Sequence, residues 1–108
     1  MSTLPHPIIR SAQLDDLPDI EELLVACALP TDGVAQLLRT TPEQFLLAHN
    51  SKGALVAMAG VEGDGAHGLL RSVAVHPDWR SHGVGGRLVQ RILERADADG
   101  RAALYLLT

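Results

Sequence analysis

The stretch "SVAVHPDWRSHGVGGRLVQRILE", residues 72–94, carries the reading of this chain. An apolar run ends at Val75, Pro77 and Arg80 follow, and three glycines (Gly83, Gly85 and Gly86) fall within four positions. Leu88, Val89, Ile92, Leu93 and Ala96 then recur at helical spacing opposite Arg87, Arg91, Glu94 and Arg95, with Gly100 as a natural stop. A strand that runs into a helix through such a segment leaves the helix's first N–H groups without intrachain partners. Donors clustered in that way, with the helix dipole behind them, bind phosphate, and side chains at 83, 85 or 86 would add bulk where the anion approaches. Arg80 and Arg87 add positive charge nearby.

Outward from this segment, the 108 residues are the length of one domain, and residues 1–6 are expected to form a loose tail. Hydrophobic residues make up 46%, while Phe, Trp and Tyr occur once each, so the core is expected to be aliphatic. Apolar stretches such as residues 23–30 are far shorter than the roughly 20 residues that cross a bilayer, and the single cysteine, Cys27, cannot form an internal disulfide. These features favour a cytoplasmic protein with no membrane partner. The net charge of -4 is uneven: residues 1–60 carry -4, residues 61–79 carry -2 and residues 80–101 carry +2. An acidic chain with one cationic helix suits a compact anionic ligand better than nucleic acid.

Along the chain, residues 7–12 read as a strand and residues 15–28 as a helix, with Leu17, Ile20, Leu24 and Cys27 on one stripe and acidic residues in its first turn. "LPTDG" (residues 29–33) breaks the pattern before a short helix over 34–39. Residues 44–50, 54–62 and 69–75 read as three strands of a meander, joined by the turn at 51–53 and a loop at 63–68. The helix after the glycines leads to a last, wholly apolar strand over 102–108. Cys27 reads as a packed small hydrophobe, and His6, His49, His67 and His82 show no ligand spacing, so no metal is expected.

Other phosphate-binding patterns fail. The Walker sequence is absent, and a dinucleotide G-x-G-x-x-G counted from Gly83 would place its third glycine on Leu88. R-x-x-G-x-G does match, at Arg80, Gly83 and Gly85, behind Val75 and Pro77. That stretch resembles the coenzyme A binding motif of the GNAT superfamily of N-acetyltransferases, and the element order from Ile8 to Thr108 is similar to the first two thirds of its fold. "LPTDG", "LLRSVAVHPDWR" and "LYLLT" look similar to the subgroup associated with arsenic resistance.

The resemblance implies an α/β (α+β) fold with a mixed, mostly antiparallel sheet flanked by helices, forming a single domain over residues 1–108. It also implies transfer of an acetyl group from acetyl-CoA to a primary amine of a small molecule or amino-acid-like substrate by direct attack. Arg80, Ser81, His82, Gly83, Val84, Gly85 and Gly86 would bind the pyrophosphate, while Val73, Ala74 and Val75 would hold the pantetheine arm. A backbone N–H in this strand, assigned to Val75, would meet the charge developing on the thioester oxygen. Glu62 is the candidate general base or water-positioning group; Arg71 and Ser72 are expected on alternate faces of their strand, one of them to meet the acceptor, with Arg71 suited to a carboxylate or oxyanion. His76 reads as structural or exposed, and Tyr105 as a packed aromatic.

The chain departs from the family pattern after Thr108, where members normally continue with a helix and two strands. The expectation is therefore a C-terminally incomplete sheet, belonging to a fragment, completed by a homodimer mate or partner chain, or found in a reduced relative. The alternative function is a non-catalytic module that binds coenzyme A or a protein through the exposed strand edge.

Overall fold

The computed structural model describes residues 7–62, 67–80, 83–98 and 103–106. Among these residues five strands form one sheet in chain order: β1 (Ile8–Ser11), β2 (Phe45–His49), β3 (Leu55–Glu62), β4 (His67–Val75) and β5 (Ala103–Leu106). Neighbours are antiparallel from β1 to β4, and β5 lies parallel to β4, which makes the mixed, mostly antiparallel sheet expected from the sequence. Helices α1 (Leu17–Ala26) and α2 (Val34–Thr40) lie between β1 and β2 in sequence, and α3 (Val84–Ala98) between β4 and β5. Among the described residues no helix is long and apolar enough to cross a membrane.

Period-two alternation in the strands feeds two apolar clusters, one on each face. Phe45, Leu47, Met58 and Ala74 pack with Ile20, Leu23 and Leu24 of α1 and Val34 and Leu38 of α2. Leu46, Ala48, Ala57, Ala59, Val61 and Leu70 pack with Val84, Leu88 and Ile92 of α3. The stripe on α1 is as expected, with Leu17 and Cys27 partly buried at its ends. Leu93 departs from the expected apolar face of α3 and is exposed, because the i, i+4 row of Val84, Leu88 and Ile92 is what meets the sheet.

Phe45, the one phenylalanine, is fully buried, so the core is not purely aliphatic. It stands opposite Gly60, and a Cβ on Gly60 would come within 2.5 Å of the Phe45 ring. Gly60 is thus a strand glycine explained by close approach. The β2–β3 turn is closed by Asn50, whose Oδ1 accepts the N–H groups of Lys52 (2.9 Å) and Ala54 (3.0 Å), while Gly53 takes φ +84°.

At the far edge, Arg10 of β1 donates to both carboxylate oxygens of Asp16 at 2.9 and 2.7 Å. That hydrogen bond, aided by the N–H of Gln13 and opposed by burial, holds the Asp16 carboxyl below its ordinary value. His49, beside them, is pushed down by burial and by the Arg10 charge, against the pull of Asp16 and Asp19.

Two outcomes follow. Gly60→Ala should lower stability by about 1–3 kcal/mol in chemical denaturation through overpacking, with a smaller loss in a Phe45→Leu background, where the ring is gone. Because the folded protein protonates both His49 and Asp16 less readily than the unfolded chain, stability is full above the unfolded values. It should fall as pH drops below about 6.5, the unfolded value for His49, and again below about 3.8 for Asp16. Melting temperature against pH checks this, and Asp16→Asn should remove only the lower step.

Candidate active site

The site begins with an irregularity in β4. Met58 pairs with Ala74 and Gly60 with Arg71, so Ala59 alone on β3 faces both Ser72 and Val73 on β4. This is a β-bulge, and Ser72 sits in it at φ +55°, a conformation that costs a non-glycine residue about 1–2 kcal/mol. The extra residue changes the parity of the strand. Leu70 faces α3 before the bulge, whereas Val73 and Val75 face α3 after it and Ala74 turns to the α1 side.

The bulge also overturns one sequence expectation. Arg71 and Ser72 do not point to opposite faces: Arg71 Nε donates to Ser72 Oγ at 3.1 Å, because the left-handed backbone at Ser72 breaks the alternation.

Beyond the bulge β4 has an open edge among the described residues. His76 N–H donates to the Val56 carbonyl at 2.8 Å, and Ala74 lies opposite Met58. Backbone groups alternate sides along a strand, so Val73 and Val75 turn theirs away from β3. On that side β5 pairs only with residues 67–70, and no described strand runs beside residues 71–75. The Val75 carbonyl is partly used, accepting from Arg80 Nε at 3.1 Å and from Cys27 Sγ at 3.3 Å. Cys27, otherwise packed against the α1 core, thereby ties the end of α1 to the end of β4.

A tight turn over Pro77–Trp79 redirects the chain from β4 toward α3. The Asp78 N–H donates to His76 Nδ1 at 3.1 Å, which leaves the proton of the neutral ring on Nε2. Trp79 packs against the α3 cluster. This gives His76 a structural task within a half-exposed setting, as expected.

The three glycines serve different needs. Gly83 has φ +76°, the left-handed turn into the helix. Gly85 lies against the strand, since a Cβ there would meet Val75 Cγ2 at 3.1 Å. Gly86 faces open space, with nothing within 4 Å of a Cβ. The helix starts at Val84, so Gly85 and Gly86 belong to its first turn and not to a preceding loop, a shift from the sequence reading. Val84 is buried against the sheet and contributes its backbone to that turn. Ser81 and His82 lie outside the described residues, as does the Tyr105 side chain.

On the other side of the bulge, Arg71 gathers three elements. Its NH1 donates to Glu62 Oε1 at 3.0 Å, and its NH2 to the Asp32 carbonyl at 3.2 Å. Glu62 is the last residue of β3 and is 47% exposed, against 19% for the Arg71 side chain. Glu62 and Arg71 are thus brought together beside the bulge, while Arg80 and Gly85 both meet Val75 at the far end of β4. Asp32 and Gly33 were legible only as a break between helices, and Cys27 only as a core residue. Their contacts with Arg71 and Val75 span 39 and 48 residues, respectively, and leave no local signal. Among the described residues no group of three or more His, Cys, Asp or Glu could hold a metal.

Comparison with known proteins places this geometry. The amino-acid acetyltransferase of Ectopseudomonas mendocina (strain ymp) is 32% identical over 107 residues, covering 93% of this chain and 24% of that protein. The chain therefore spans about a quarter of the length of the curated relatives it matches. A Mycobacterium tuberculosis protein in complex with CoA superposes with a TM-score of 0.80 at 28% identity, over 94% of this chain and 64% of that one. N-acetylglutamate synthase from Neisseria gonorrhoeae, complexed with coenzyme A and L-arginine, shares the fold with a TM-score of 0.82 at 23% identity, over 97% of this chain and 25% of that one. The acetyltransferase (GNAT) family model matches residues 11–108, and with a bulged, open-edged β4 feeding a glycine-rich helix start, the chain belongs to that family.

Proposed function

We propose that this domain transfers an acetyl group from acetyl-CoA to the amine of an amino-acid-like acceptor. The observation that carries this reading is the edge of β4 over residues 71–75, which is open among the described residues and continuous with a helix start whose Gly86 faces free space. The fit is chemical as well as spatial. An extended arm with two amides suits the outward backbone groups of Val73 and Val75, as an added strand would. A pyrophosphate suits the first-turn N–H groups of residues 84–86, beside Arg80.

Acetyl-CoA, when bound, supplies an activated acetyl carbonyl. The chain's own groups then have defined tasks. The outward N–H groups of Val73 and Val75 are fixed donors for the negative charge that develops on the carbonyl oxygen. Such donors cost no reorganisation, since the bulge has already turned them from β3. Glu62 takes the proton of the acceptor's ammonium group, and the freed nitrogen forms the C–N bond as the C–S bond breaks. As the amide forms, the nitrogen gives up its second proton to solvent, and the electron pair of the broken C–S bond leaves with sulfur, which takes a proton from solvent. Arg71 meets an acceptor carboxylate, for which a planar guanidinium is suited.

The amino-acid acceptor is favoured by the relatives named amino-acid acetyltransferase and by a neighbour complexed with N-acetyl-glutamate. The narrower likeness to arsenic-resistance acetyltransferases rests on "LPTDG", "LLRSVAVHPDWR" and "LYLLT" alone.

The glycine geometry makes the test sharp. Gly83→Ala should cost about 1–2 kcal/mol of stability because of its positive φ. Gly86→Leu should leave the melting temperature nearly unchanged and weaken acetyl-CoA binding at least about tenfold in calorimetry, a loss of about 1.4 kcal/mol. Free thiol release from acetyl-CoA across a panel of amino acids tests turnover. Unchanged affinity in Gly86→Leu would remove the assignment of the helix start, and binding without release would remove the catalytic reading.

A further inference from the structure

Three nitrogens of Arg71 are engaged, but not equally. Nε is held by Ser72 Oγ, on the bulge, and NH2 by the Asp32 carbonyl, on the loop between α1 and α2. These two bonds fix the plane of the guanidinium from opposite ends. NH1 is directed to Glu62 Oε1 at 3.0 Å, and this partner is half exposed at the end of its strand. Gly33 lies beside this arm: a Cβ there would sit 3.8 Å from NH1, an ordinary contact distance. Gly33 has φ +78°, so the backbone itself selects against a side chain there. The result is a clamped cation with one approachable arm, occupied by a carboxylate of the protein.

We infer that Glu62 is a built-in placeholder for the acceptor's α-carboxylate: the acceptor displaces Glu62 from Arg71 NH1, and the displaced Glu62 is the group that takes the proton from the adjacent ammonium. This rests on the transferase reading above and adds to it a coupling between recognition and proton transfer. In an α-amino acid the carboxylate and ammonium sit on one carbon, so a carboxylate on NH1 brings the ammonium next to the position Glu62 has left. The proton passes from nitrogen to the Glu62 oxygen, and no other reagent is needed. An amine without a neighbouring carboxylate leaves Glu62 Oε1 on Arg71, placed for the guanidinium and not for the amine. Discrimination thus resides in release of the base as well as in binding.

The placeholder makes an unusual prediction about sign. L-glutamate and 4-aminobutanoate, the same molecule without its α-carboxylate, are titrated by calorimetry into the CoA-saturated wild type and into Glu62→Gln. Removing the competing charge should tighten L-glutamate binding about two- to fivefold, the scale of a half-exposed ion pair. Binding of 4-aminobutanoate should stay unchanged. In the same variant kcat for L-glutamate should fall about 100-fold, as for a lost general base. If Glu62 only braces the sheet, the variant will bind L-glutamate equally or more weakly, and the inference fails. It also fails if L-glutamate does not bind the wild type. The CoA titration that precedes each run reports separately on the cosubstrate site, so failure here is distinguished from failure of the transferase reading.

Discussion

The one-residue surplus in β4 is the constraint on which the rest of this structure depends. Two residues of β4 face one of β3, and Ser72 takes up the difference with a left-handed backbone. The register change moves Val73 and Val75 onto the α3 face and turns their backbone groups to an edge that β5 does not cover. Without it, Leu70 and Ala74 would share a face and the strand would continue with an unbroken period of two. The local cost, about 1–2 kcal/mol, is borne by a sheet whose central strands are buried on both sides.

Arg71 connects that constraint to the surrounding chain. It bonds the bulge through Ser72, the end of β3 through Glu62 and the loop before α2 through Asp32. Each such bond contributes only about 1 kcal/mol when partly exposed, so the cluster's role is geometric: it sets the loop before α2 against the end of the β3–β4 pair. The Cys27 contact with the Val75 carbonyl acts similarly at the other end of the strand, drawing α1 toward β4. The strand edge is thus bracketed by two fixed points, one beside the charged pair and one beside the helix start.

The glycines after Arg80 show how a motif divides its work. Gly83 is required by torsion, Gly85 by contact with Val75, and Gly86 by neither, which leaves it as the position where space itself is the product. A sequence pattern treats the three alike, because spacing carries no record of which way a missing side chain would point. Gly60 makes the same point in the core, where its need is set by the ring of Phe45 across the sheet.

The amino-acid sequence by itself determined the element order, the α1 stripe, the meander of β2 to β4 and the glycine-rich helix start, since each is written in residues close together in the chain. Periodicity, turn residues and missing side chains act over a few positions, and their physics is local. Only the tertiary structure decided the bulge at Ser72, the face on which Arg71 lies, its pairing with Glu62 and Asp32, and the edge of β4 that is open beyond Leu70 among the described residues. Those depend on register between strands and on contacts across as many as 39 residues, where the outcome is settled by packing against partners that no local pattern names.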